Sequence, residues 1–196
     1  MADSWLIAGL GNPGERYART RHNVGYMAVD RLCGRLDVTL RKVRFVPVVA
    51  ADARTGAVPV ILAEATTFMN ESGPPIASLA KKRDVPAGRV VVIHDELDMA
   101  FGALRVKFGG STAGHHGLDS LVSAFRTPDF YRIRIGLGRP PGRQDPIDFV
   151  LSPFAARERE EVEVLVEDAA DAALLVVTKG LASAQDRYNR GGVRDG

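Results

Sequence analysis

The sequence predicts an α/β fold: a single domain over residues 1–196, built on a twisted mixed β-sheet flanked by helices on both faces. Three observations carry this. Apolar runs rich in β-branched residues alternate with segments of helical spacing along the chain. Two of those runs flank "ARTG" as a hairpin, so one strand pair is antiparallel inside an otherwise crossover-connected pattern. With 196 residues and 45% hydrophobic content, the chain is long enough for one sizeable core.

The elements follow in order. "SWLIAG" is a buried strand that ends at a glycine turn. "NVGYMAVDRLCGRL" places Val24, Met27, Ala28 and Leu32 at helical spacing, with Thr20 or Asn23 as its cap. "FVPVVAAD" and "VPVILAEA" are the hairpin strands, and "ESGPPIASLAKKRD" is a helix with Ser72 at its start and prolines in its first turn. "RVVVIHDELD" is a strand that runs into a polar cluster. "ALRVKF" is a further strand, "GGSTAGHHG" a loop, "LDSLVSAF" a short helix and "FYRIRIGLG" a strand. "RPPGRQDPIDFV" reads as a Pro/Gly-rich loop. A long acidic helix opens at Ser152-Pro153, breaks at Gly180, and is followed by the basic C-terminal helix "LASAQDRYNR".

Composition removes several function classes. The net charge of +2 is too small for a general nucleic-acid coater, though it allows a local basic patch. Cys33 is the only cysteine, so neither a disulfide framework nor a thiolate zinc cage can form, and a reducing cytoplasm is expected. The start "MADSWLIAGL" lacks a charged leader, and no run approaches the roughly 20 apolar residues of a membrane span.

Gly9, Gly11 and Gly14 spell G-x-G-x-x-G, the dinucleotide fingerprint. That site needs a helix directly after the turn and an acidic residue at the end of the next strand. Here "ERYARTRHN" follows, without an apolar stripe, and the acid at the right distance, Asp30, falls inside the amphipathic helix. A tight turn accounts for Gly11 and Gly14. It leaves Asn12, Tyr17, Arg19, Arg21, His22 and Asn23 unexplained in a loop set on a rigid strand, which is where function tends to sit.

All four histidines, His22, His94, His115 and His116, fall in polar loops or at strand ends, which favours a site over structural roles. "HDELD" reads either as a solvated turn or as a carboxylate, Asp95, that orients a histidine from another loop. No H-E-x-x-H spacing supports a metal site, no G-x-S-x-G elbow supports a serine nucleophile, and Cys33 reads as packing. What remains is a histidine-activated water supported by the amides of Asn12, Asn23 and Asn70, chemistry suited to an activated acyl group such as an ester.

At these residues the chain resembles bacterial peptidyl-tRNA hydrolases. The matching pieces are "GLGNPG", "YARTRHNVG", "TFMNESG", "HDELD", "KFGG" with "GHHGL", and "FYRIRIGLG", in the family's order and covering most of the chain. The resemblance implies cleavage of the ester between a peptide and the 3′ ribose of tRNA by a cytoplasmic monomer that needs no metal or cofactor. It implies His22 as general base, Asp95 as its partner and Asn12 as an amide binder. Asn70 is implied as a second amide, Met69 as lining for the 3′ adenosine, Tyr17 as an aromatic near the base, and Lys107 with Arg134 as a phosphate clamp. The family reads G-H-N-G where this chain has Gly114-His115-His116-Gly117, so the resemblance leaves the asparagine's role to His116. The substrate partner would be the acceptor stem and 3′ end of peptidyl-tRNA, with no membrane contact. An RNA-binding or chaperone-like module without catalysis is the rival class. The His22, Asp95 and Asn12 set speaks against it, because binding alone requires no base and orienter.

Overall fold

The computed structural model describes residues 3–189. Strand β1 (Trp5–Gly9) is followed by a 3-10 turn (Arg21–Asn23) and helix α1 (Val24–Arg35). Next come β2 (Arg41–Lys42), β3 (Val48–Thr55), β4 (Val58–Ala65), α2 (Gly73–Lys82), β5 (Val90–Glu96), β6 (Leu104–Phe108), α3 (His116–Phe125) and β7 (Tyr131–Gly136). Helices α4 (Pro146–Val150), α5 (Arg159–Lys179) and α6 (Leu181–Tyr188) complete the described chain. The strands form one sheet in the order β2-β3-β4-β1-β5-β7-β6. β4, β1, β5 and β7 run parallel, while β3, β2 and β6 are antiparallel additions at the two edges.

Alternation along the strands divides the core. Ile7, Val91, Ile93 and Ile133 face α1 and α5, while Leu6, Ala8, Val90 and Val92 face α2 and α3. The sheet is therefore covered on both faces, as its near-continuous apolar strands require. The acidic face of α5 is ion-paired to α1: Arg31 bonds Glu163 and Glu167, and Arg35 meets Asp171 at 2.7 Å. α6 covers the edge strand β6, where the Asn189 side chain accepts from Val106 N and donates to Val106 O. Arg190, the last residue of the expected basic helix, lies outside the described residues.

Some expectations need correction. Residues 146–150 form α4 rather than loop, with the Asp145 carboxylate accepting from Ile147 N at 2.7 Å and Pro146 at the first helical position. The two-residue edge strand β2 is an addition to the expected elements. Neither Thr20 nor Asn23 caps α1 with its side chain, and the Ser72 hydroxyl is buried without a partner. The glycine motif acts by close approach as well as by turning. A Cβ on Gly9 would stand 2.4 Å from Gly25 O, and one on Gly25 would stand 2.3 Å from Ile93 O, so α1 sits directly on the ends of β1 and β5. Gly11 lies against the Tyr26 ring, and only Gly14, at φ +100°, supplies a left-handed turn.

Candidate active site

The carboxyl ends of the parallel strands β4, β1 and β5 open into one cleft of about 560 Å³. Asn12, His22, Met69, Asn70, Asp95, His115 and His116 all line it, so seven of the residues read from the sequence converge at one place. Such crevices beside the strand ends are where α/β sheets place ligands.

Asp95, almost fully buried at the end of β5, is the hub. One carboxylate oxygen is 2.9 Å from His22 Nδ1, and the other is 2.8 Å from His115 Nε2. Burial alone would raise the Asp95 pKa, but the two imidazoles outweigh it and hold the carboxyl well below its usual range. Tautomers follow from the remaining partners. His115 is the N-cap of α3, and its Nδ1 accepts from Gly117 N and Leu118 N at 3.1 and 3.3 Å. Its proton must therefore sit on Nε2, donated to Asp95. Since the carboxylate can only accept, His22 donates from Nδ1 and keeps its Nε2 lone pair free. Burial opposes charge on His115 and Asp95 favours it, for a net upward pKa, yet a proton on Nδ1 would have to displace the α3 cap.

The imidazole–carboxylate–imidazole set has a metal-like donor composition, its ligating atoms all lying within 4.8 Å of one another. The tautomers argue against that use. His115 offers the group an N–H, and baring Nε2 would move the proton onto the capping nitrogen.

Asn12 is fixed from three sides. Its backbone N–H donates to Asn23 Oδ1, its carbonyl accepts from Asn23 Nδ2, and its side-chain oxygen accepts from Met69 N at 2.7 Å. The amide NH₂ of Asn12 remains as the donor toward the cleft. Asn23, a cap candidate from sequence, thus holds the residue that holds Met69. Asn70 is exposed on the cleft wall and Met69 is buried behind it.

The other expected residues stand differently. Tyr17 is outside the cleft lining and packs edge-on against Phe68, which does line it, at 6.2 Å between centroids. His116 is exposed at the first position of α3, on the cleft rim; the ring that meets Asp95 is that of His115. Lys107 and Arg134 lie on the paired strands β6 and β7, two residues apart in register, and outside the cleft lining: Lys107 Nζ reaches Ser111 O at 3.3 Å, and Arg134 is paired with Glu96 at 3.1 Å. Burial, Arg132 and Arg134 lower the Lys107 pKa, so this corner is electropositive enough to press on its own lysine.

Arg132 escapes the sequence reading, and Arg21, marked there only as a polar loop residue, gains a definite structural role. Arg132, fully buried on β7, donates to Ser111 O and Gly110 O at 2.7 and 3.0 Å and pins the loop that carries His115. Arg21, next to His22, donates to Ser152 Oγ and Pro153 O, pairs with Glu158, and stacks on Phe149, which fastens α4 at the cleft mouth. A period-two strand reading marks Arg132 as one of a pair with Arg134, but nothing in it distinguishes the fully buried member from the half-buried one. His94, also buried, donates Nδ1–H to Asp95 O, and burial beside His115 pushes its pKa down to about 3, so it is a neutral spacer behind His115.

Fold and site together define an α/β protein with a carboxylate joining two imidazoles in a cleft at the carboxyl ends of its parallel strands. Residues 6–195 match the family model described as peptidyl-tRNA hydrolase. The chain is 50% identical over 189 residues to the peptidyl-tRNA hydrolase of Mycobacterium marinum, covering 96% of this chain and 99% of that one. It is 46% identical over 196 residues to the one from Kineococcus radiotolerans, covering 96% and 98%. The crystal structure of peptidyl-tRNA hydrolase from Acinetobacter baumannii superposes with a TM-score of 0.89 at 32% identity, covering 96% of each chain. The chain belongs to the peptidyl-tRNA hydrolase family and is a hydrolase acting on ester bonds.

Proposed function

We propose that this enzyme cleaves the ester between a peptide and the 3′ ribose of tRNA with a water activated by His22, and thereby recycles tRNA from interrupted translation. The observation that carries the reading is the Asp95–His22 bond, which leaves Nε2 as a free base in an open cleft. The water oxygen attacks the ester carbonyl as its proton passes to His22 Nε2, and Asp95 stabilises the imidazolium. The Asn12 NH₂ donates to the oxyanion, with Asn70 as the second amide. Collapse breaks the bond to the ribose oxygen, which takes the proton back from His22. The products are a peptide carboxylic acid and tRNA with a free 3′ hydroxyl. No metal or cofactor enters these steps.

Met69 and Tyr17, through Phe68, shape the wall for the terminal adenosine, His115 and His116 border the ester, and Lys107 with Arg134 grips an acceptor-stem phosphate. Place of action and state are taken as the cytoplasm and a monomer, as the resemblance implies; among the described residues no helix is long and apolar enough to cross a membrane. The test is a chelator-treated assay on N-acetyl-aminoacyl-tRNA beside the free-amine form. Release of the blocked amino acid alone supports the reading, and an intact blocked ester ends it.

A further inference from the structure

A second basic surface lies away from the cleft, at the β2 edge of the sheet. Arg41 and Lys42 on β2 and Lys82 and Arg83 at the end of α2 line one groove of about 500 Å³, in which Asp52 is the one carboxylate among the lining residues. Asp52 is bonded to Arg83, which leaves the other three cations without an acidic partner in the groove. Lys82 Nζ reaches across to Arg44 O at 3.0 Å, tying the β2–β3 turn to α2. Beside it, Phe45 is 88% exposed, with its backbone at φ +64° and the Arg44 guanidinium over its ring.

Protection of a sheet edge explains charges on β2. It explains neither the matching charges on α2 nor an aromatic ring held in solvent at the tip. A bulky residue in the left-handed region is strained, and such strain is maintained where a surface is used. Cations lining a groove, with an arginine-stacked aromatic at its end, fit a polynucleotide: phosphates meet the cations and a base stacks on the ring. The turn is also close to the cleft. Thr66 N donates to Pro47 O, two residues from Phe45 on one side and two from Phe68 on the other, so the two aromatics stand within about 20 Å by chain length.

We infer that this edge binds the backbone of the substrate's tRNA beyond its 3′ end, with Arg41, Lys42 and Lys82 on phosphates and Phe45 under an unstacked base. The inference rests on the function proposed above. β2 and β7 are five strand spacings apart, roughly 24 Å, so the two strands of an acceptor stem give the β2 edge and the corner of Lys107 and Arg134 each a backbone to hold.

The test compares wild type with the triple variant Arg41→Ser, Lys42→Ser, Lys82→Ser on full-length N-acetyl-aminoacyl-tRNA and on 3′-O-(N-acetyl-aminoacyl)adenosine. Three lost phosphate contacts should lower the slope of log(1/KM) against log[salt] by about 2–3. KM for the tRNA should rise on the order of tenfold at low salt, while kcat and all kinetics on the adenosine ester stay as in wild type. Phe45→Gly, which removes ring and strain together, should raise KM for the tRNA alone and leave the protein at least as stable. Unchanged tRNA KM and salt slope in the triple variant overturn the inference, as does an equal loss on both substrates. Wild-type cleavage of the adenosine ester shows that the hydrolase reading stands whatever becomes of this edge.

Discussion

Asp95→Asn changes one atom of the hub and has a calculable consequence. The carboxylate accepts two imidazole N–H bonds, at 2.9 Å from His22 and 2.8 Å from His115. A carboxamide accepts with one end and donates with the other. His115 cannot adapt, because its Nδ1 is committed to Gly117 N and Leu118 N, so the oxygen of the new amide must turn to His115. The NH₂ then faces His22 Nδ1, which has to become an acceptor, and the His22 proton moves to Nε2. The base is lost by tautomer with its geometry kept. The same substitution in the serine-protease triad, a worked case, costs about 10⁴ in kcat, and a loss of that order is expected here with KM within about threefold. Steady-state kinetics on N-acetyl-aminoacyl-tRNA read the loss, and ¹⁵N NMR of the His22 ring reads the tautomer. Adding His115→Ala to Asp95→Asn frees the amide oxygen to turn back to His22, so the double variant should be faster than the single one by at least about tenfold. A single variant with more than a tenth of wild-type kcat, or a double variant no faster than the single, refutes the tautomer argument.

Glu64, buried on β4 with Oε1 unpartnered, is raised by desolvation and Asp30 from 4.5 to about 8. Its folded pKa lies above its unfolded one, so it costs nothing below pH 4.5 and destabilises progressively up to pH 8, by at most about 5 kcal/mol at ~1.4 kcal/mol per pH unit. Glu64→Gln should therefore gain stability over wild type as pH rises from about 5 to about 9; an equal difference at both ends in denaturant unfolding would refute the shift. His116→Asn, at the exposed rim, should stay within about tenfold of wild type in kcat/KM, and a dead variant would mean the ring does something an amide cannot. Lys107→Ala should raise KM for tRNA more than it lowers kcat and reduce the salt slope by about one; an unchanged slope would leave Lys107 as an anchor for Ser111 O only.

The sheet was legible because most of its strands carry apolar or alternating runs with β-branched residues, most densely in β5, and the hairpin carries a turn signal. α4 was not, because its Asp-Pro start sits within a Pro/Gly-rich stretch that reads as loop, although Asp145 followed by Pro146 is itself a helix-start signal. β2 is too short to show alternation. The site was legible as a set of residue types: His22, Asp95 and Asn12 each stand out as polar groups in loops or at strand ends. Their pairing was only half legible. His115 occupies the second oxygen of Asp95 because α3 begins there and uses His115 as its cap, a three-dimensional fact without a sequence period. Asn23 looked like a helix cap for the same reason that it binds Asn12: a short amide at a helix start satisfies backbone groups, and sequence does not say whose.

At the centre of the proposed mechanism stands His22 Nε2, left free to act as the base by the Asp95 bond to Nδ1. Its most direct test is the kcat of His22→Ala on N-acetyl-aminoacyl-tRNA, measured with the Kd for uncleaved substrate. A fall of about 10²–10⁴ in kcat with Kd within about threefold is predicted. A kcat within a few-fold of wild type would contradict it.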